Sequence, residues 1–99
     1  MTGYRFLSLA EEEMSEAAVF YDAAFVGLGT DFLEDLQQTI DMVRAHPEIG
    51  PRVDTNLRRA LLYRFPFSII YSVETDAILI VSIAHHRQRP GYSNSRIVR

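Results

Sequence analysis

Beyond a short strand-like start, the spacing of apolar residues in this 99-residue chain changes in the stretch that holds Pro47 and Pro51, and that change decides the fold class. Before it, apolar side chains recur every three or four positions, the period of a helix face. After it, they alternate or run together, as in strands. The first six apolar-rich residues (Tyr4, Arg5, Phe6, Leu7, Ser8, Leu9) are strand-like. Ser8 and Glu11 have the spacing of a capping box, in which a hydroxyl and a carboxylate each satisfy an orphan amide. A helix follows, with Met14, Ala17, Ala18, Tyr21 and Phe25 on one face. Glu11, Glu12 and Glu13 lie in its first turn, where the helix dipole favours acids, and the acids from Glu11 to Glu16 read as a solvated face. Gly27-Leu28-Gly29 breaks this helix. Thr30 or Asp31 can cap the next, whose stripe is Phe32, Leu33, Leu36, Ile40 and Val43. His46-Pro47 stops it, since the residue before proline disfavours helical geometry. Two helices joined by a short glycine turn make an antiparallel hairpin.

Residues 48–56, with Gly50-Pro51, read as a loop. Residues 57–64 form a strand with Arg58 and Arg64 on one face and Leu57, Leu61 and Tyr63 on the other. Pro66 marks a bend. Residues 67–73 form the next strand, with Ile69 and Tyr71 on its core side. Residues 74–76 turn the chain, and the almost wholly apolar residues 77–84 form a central strand. The tail from His85 is polar. The order strand, helix, helix, strand, strand, strand predicts one α+β domain over residues 1–99: a two-layer β-α-α-β-β-β arrangement with the hairpin packed on a mainly antiparallel sheet. The opposite sheet face is expected to be more open and to carry the arginine side of the strands.

The chain has no cysteine, which excludes disulfide frameworks, thiol nucleophiles and thiolate metal sites. No apolar run approaches the roughly 18 residues of a membrane helix, and the start of the chain lacks the basic residues of a signal peptide, so the cytoplasm is the expected location and no membrane partner is expected. Residues 1–50 hold ten acids and two bases; residues 51–99 hold three acids and eight bases; the balances of -8 and +5 give the net charge of -3. All ten bases are arginine. Arginine stays protonated and can grip a phosphate or carboxylate through two parallel hydrogen bonds.

Arg58, Arg59, Arg64, Arg87, Arg89 and Arg96 fall on or just beyond the expected strands, and His85 shares a strand face with Arg87 by the two-residue period. Tyr92 follows closely. One reading is an anionic site: Arg58, Arg64 and Arg87 as clamps, His85 for proton transfer and Tyr92 for stacking or proton transfer, with Arg59, Arg89 and Arg96 as binding residues. The alternative is structural, with Arg58 and Arg64 paired to the acidic helices and His85 hydrogen-bonded at a strand end. His85 and His86 face opposite ways as neighbours on a strand and do not make a metal pair. No cofactor is expected. Gly27-Leu28-Gly29 is a helix–helix turn rather than a phosphate loop, because no strand precedes it.

Taken in order, three segments carry a resemblance. Gly27-Leu28-Gly29 followed by Phe32-Leu33 is similar to the GLG-x-x-F-L element of ParE-like chains. Arg64-Phe65-Pro66-Phe67-Ser68-Ile69-Ile70-Tyr71 is similar to their R-F-P-[YF]-x-I-I-Y strand. The run from His85 to Tyr92, with Arg96, is similar to their H-x-R-R-x-P-x-Y-W-x-x-R ending, with Ser93 in place of the tryptophan. The chain thus resembles the RelE/ParE superfamily of type II toxin–antitoxin toxins. The resemblance implies the β-α-α-β-β-β fold, growth arrest by the free protein, and neutralisation by a cognate antitoxin through which oligomers can form. ParE-like members poison DNA gyrase without nuclease chemistry; RelE-like members cut mRNA on the ribosome. The motifs lean toward ParE, and the absence of lysine departs from RelE-like sites. In the RelE-like alternative, Arg58, Arg64, His85, Arg87 and Tyr92 would be catalytic. A third reading is a non-toxic antitoxin-binding module.

Overall fold

The computed structural model describes residues 2–87. In chain order the elements are β1 (Gly3–Phe6), α1 (Ser8–Ala24), α2 (Leu28–Ala45), β2 (Arg52–Asp54), β3 (Leu57–Leu61), β4 (Phe67–Val73) and β5 (Ala77–His85). The strands form a five-stranded sheet in the order β1-β5-β4-β3-β2. β1 runs parallel to β5, and the other pairs are antiparallel. The parallel pair follows from the connectivity: the two helices of the hairpin and then three antiparallel strands lie between β1 and β5, so β5 comes to lie beside β1 running in the same direction. This is the expected α+β architecture with one addition: β2 lies in the segment read as a loop. Its three residues are all exposed and its pairing with β3 is irregular, so no apolar period announces it.

The helix ends differ from expectation in instructive ways. β1 stops at Phe6 and α1 starts at once, with Leu7 as its N-cap residue and no side-chain cap. The Leu7 N–H is already bonded to the Ile80 carbonyl across the sheet, so β1 feeds directly into the helix and Ser8 is helical rather than capping. Thr30 and Asp31 do not cap α2 either, because that helix begins earlier, at Leu28, behind Gly27. Gly27 adopts a left-handed φ of +92°, where a Cβ would be strained. Asp22, at the end of α1, accepts hydrogen bonds from the Gly27 and Gly29 N–H groups at 3.0 and 3.1 Å. An anion from the first helix thus caps the second across the turn. Gly29 is needed for a different reason: a Cβ there would collide with the Ala18 carbonyl, so the helices touch backbone to backbone.

One face of the sheet packs on the hairpin. Phe32, Leu36, Ile40 and Val43 of α2 and Ala10 and Ala17 of α1 meet Ala60, Ile69, Tyr71, Ile78, Ile80 and Ile83 of the strands. Ile69 and Tyr71 lie on the core side, as expected. Phe25 does not join the inner face of α1; it sits at the hairpin tip, 73% exposed. The faces of β3 also correct the reading. Register pairs Ala60 with Ile69 and Arg58 with Tyr71, so Arg58 and Ala60 face the hairpin. Leu61 and Tyr63 are exposed at 55% and 92%, and Leu57 joins a cluster on the opposite face with Ile70, Leu79 and Val81. That face is therefore not open throughout, since these four side chains are buried.

Two acids of the hairpin hold the sheet. Glu13 accepts hydrogen bonds from the Ser82 hydroxyl at 3.3 Å and the Ile83 N–H at 3.0 Å. These groups lie beyond Ile80, where β1 stops pairing with β5, so the carboxylate takes over the strand edge that β1 leaves. Glu13 is thus not part of a purely solvated face. The second acid, Asp35, shapes the candidate site.

Candidate functional site

Asp35 is buried on the inner face of α2, among Phe32, Leu36, Thr39 and Ile40. One carboxylate oxygen accepts the Tyr63 N–H at 3.1 Å; the other accepts the N–H groups of Arg64 and Phe65 at 2.7 and 3.1 Å. Charged hydrogen bonds of this kind are the strong ones, and they satisfy a carboxylate that burial would otherwise penalise. They also end β3 at Leu61, short of the expected residue 64, because three successive amides turn toward one side chain instead of a neighbouring strand.

The turn so fixed presents Tyr63 and Arg64 outward. The Arg64 guanidinium lies 3.8 Å from the Asp31 carboxylate, with both side chains about half exposed, and over the Phe65 ring at 5.7 Å. The end of β5 adjoins the same turn. The His86 N–H donates to the Pro66 carbonyl at 3.0 Å. The His85 ring stands edge-on to Phe67, with centroids 5.0 Å apart, and its Nδ1 accepts the Arg87 N–H at 3.0 Å. Arg64, His85 and Arg87 therefore share one end of the sheet.

Arg58 does not join them. It lies opposite Tyr71, four positions along β4 from Phe67, which at about 3.3 Å per residue puts it roughly 13 Å up the strand. Its guanidinium donates to the carbonyls of Glu48 and Gly50 at 3.1 and 2.8 Å. The Tyr71 hydroxyl donates to the Pro47 carbonyl at 2.9 Å and accepts the Gly50 N–H at 3.1 Å. A Cβ on Gly50 would come within 2.8 Å of that hydroxyl, so only glycine lets the loop approach this closely. Burial pushes the Tyr71 phenol above its ordinary pKa, against the opposing pulls of the Gly50 N–H and the Arg58 charge. Arg58 and Tyr71 thus clamp the loop between α2 and β2. This is the structural role weighed for Arg58, although its partners are carbonyls rather than helix acids.

Arg59 is exposed on the opposite face of β3 from Arg58, at the side of the sheet where β2 pairs. Arg89, Tyr92 and Arg96 lie outside the described residues. An open hollow of about 430 Å³ near Arg58 is lined by Glu48, Arg52 and Glu74 as well, so its charges balance and select no ion of either sign. Reading the sequence missed Asp35, Glu13 and the Tyr71 hydroxyl. A signal existed for the first: Asp35 falls three residues after Phe32 and one before Leu36, inside the apolar stripe.

The family described as "ParE toxin of type II toxin-antitoxin system, parDE" matches residues 4–90. The chain belongs to this family. A solved structure described as the chromosomal ParDE TA system from P. aeruginosa shares the fold, with a TM-score of 0.64 at 19% identity over 86% of this chain and 96% of that one. No curated protein sequence matches. Among the described residues, no helix is long and apolar enough to cross a membrane.

Proposed function

We propose that this ParE-family toxin arrests growth by binding and inhibiting DNA gyrase, and that a cognate antitoxin neutralises it. Family membership supports the toxin role. The observation that favours binding over cleavage is the division of the basic residues. Arg58 is committed to two backbone carbonyls about 13 Å from the end that holds Arg64, His85 and Arg87. A general acid and base must reach the same phosphate within hydrogen-bond range, and a guanidinium tied to the scaffold does not serve there. Exposed Tyr63 and Arg64, on a turn held by Asp35, with exposed Arg87 at the adjoining end of β5, instead suit a contact surface for another protein; aromatic and arginine anchors are what such surfaces favour.

Purified chain added to a gyrase supercoiling assay is expected to inhibit it, and Arg64→Ala to weaken the inhibition. Full gyrase activity at saturating toxin removes this reading. The ribosome-dependent endonuclease draws on one specific observation, the shared end of Arg64, His85 and Arg87. New mRNA ends on translating ribosomes, lost in His85→Ala, would establish that alternative.

A further inference from the structure

Between α2 and the outer edge of β3 lies a small apolar socket of about 170 Å³, lined by Met42, Ile49, Gly50, Pro51, Ala60 and Leu61, with Arg59 at its rim. Its size is close to that of a cavity of about 150 Å³ that takes up one benzene ring, so it has room for one branched or aromatic side chain. Met42, Ile49 and Leu61 are 40%, 52% and 55% exposed, although each is a large apolar group.

The backbone beside the socket is unfinished. The Leu62 N–H bonds inward to Phe67 and the Arg59 N–H bonds outward to the Pro51 carbonyl. By the alternation of an antiparallel ladder, the N–H and C=O of Leu61 also point outward. β2 has ended before this point, and Asp35 takes the next outward amide, that of Tyr63. Leu61 is thus an open rung between two filled ones, with no backbone partner among the described residues. An edge position with a free donor and acceptor is a template for an added strand.

We infer that this edge docks an extended segment of the antitoxin, a proposal that rests on the neutralisation reading above. The segment pairs its backbone with Leu61 and places an apolar side chain in the socket. Successive side chains of a strand alternate faces, so the residue next to that anchor emerges on the side of Arg59. Arg59 is exposed and has no ion pair among the described residues. The complementary neighbour is a carboxylate. The motif recognised is therefore an apolar residue flanked directly by Asp or Glu in an extended stretch.

The test uses the full chain and its cognate antitoxin. Affinity is measured for wild type, Arg59→Glu and Leu61→Ser, with circular dichroism and the thermal midpoint showing that both variants fold. Amide hydrogen exchange is followed at Leu61 in the free and bound chain. Each variant is expected to weaken binding by at least about tenfold, as for an anchor of an interface, and the Leu61 amide to become protected only in the complex. Wild-type binding with unchanged affinity for both variants, or with an unprotected Leu61 amide, overturns the docking site and leaves the neutralisation reading intact. Protection of Leu61 in the chain alone at high concentration assigns the edge to a second copy and also overturns it. No binding by wild type removes both.

Discussion

The two ends of β3 carry similar side chains and do opposite things with them. At its start, Arg58 points to the hairpin side and spends its guanidinium on the carbonyls of Glu48 and Gly50, while Tyr71 holds Pro47 and Gly50 through its hydroxyl. Past its other end, Tyr63 and Arg64 face solvent, and the protein holds them chiefly by their backbone amides, through Asp35, with the Arg64 guanidinium in a half-exposed 3.8 Å pair with Asp31. One end uses arginine and tyrosine as internal fasteners; the other uses a buried acid to mount arginine and tyrosine on the outside. A cluster of arginines in a sequence is therefore not one feature. Whether each is structural or available depends on which face the register assigns it and on what backbone lies within reach.

Breaking the mount should have the largest effect. Asp35→Ala leaves three amides without their acceptor, two of them in a partly buried turn, and should destabilise the fold by about 3–5 kcal/mol in urea unfolding. A loss under about 1 kcal/mol would mean that water replaces the carboxylate and the turn is not held by it. Ile69→Ala, in the core between the two ends, sets the scale for simple packing at about 2–5 kcal/mol. Tyr71→Phe keeps the ring and removes the fastener. It should cost about 1–3 kcal/mol and raise hydrogen exchange at the Gly50 amide, which loses its acceptor. Arg64→Ala should change stability by no more than about 1 kcal/mol, because its partner Asp31 is about half exposed and 3.8 Å away. A large loss there would erase the contrast between the ends.

The clamp also predicts a small alkaline effect. Burial raises the Tyr71 pKa in the folded protein above the ordinary value of about 10. The folded state then holds this proton more tightly than the unfolded chain. Its contribution is fully present below about pH 10 and is lost as pH rises through the folded value. Tyr71→Phe should flatten that slope in alkaline denaturation curves, leaving the part due to Tyr21, which burial also raises.

The helices and the strands β4 and β5 were legible because their apolar periods are long and regular. The hairpin was legible in the glycines at 27 and 29, though for two separate physical reasons, a left-handed φ at one and a backbone contact at the other. Harder to read were features in which a polar group acts against its usual place. Asp35 and Glu13 are acids in acidic helices, a pattern that ordinarily means a solvated face, and only the approach of the sheet turns them inward. β2 is three exposed residues long, too short for any period to show. The face of β3 could not be settled by counting apolar residues, because Ala60, the smallest of them, is the one that fits under the hairpin opposite Ile69. At the site, the sequence brought Arg58, Arg64, His85 and Arg87 together as one anion-binding cluster; register separates the first from the other three.

The central claim is that this toxin works by binding gyrase rather than by cutting RNA, and pulse labelling after induction of the chain alone in a bacterial host tests it most directly. DNA and protein synthesis are followed through the first minutes. The account predicts that DNA synthesis falls first while protein synthesis continues; collapse of protein synthesis ahead of DNA synthesis would contradict it.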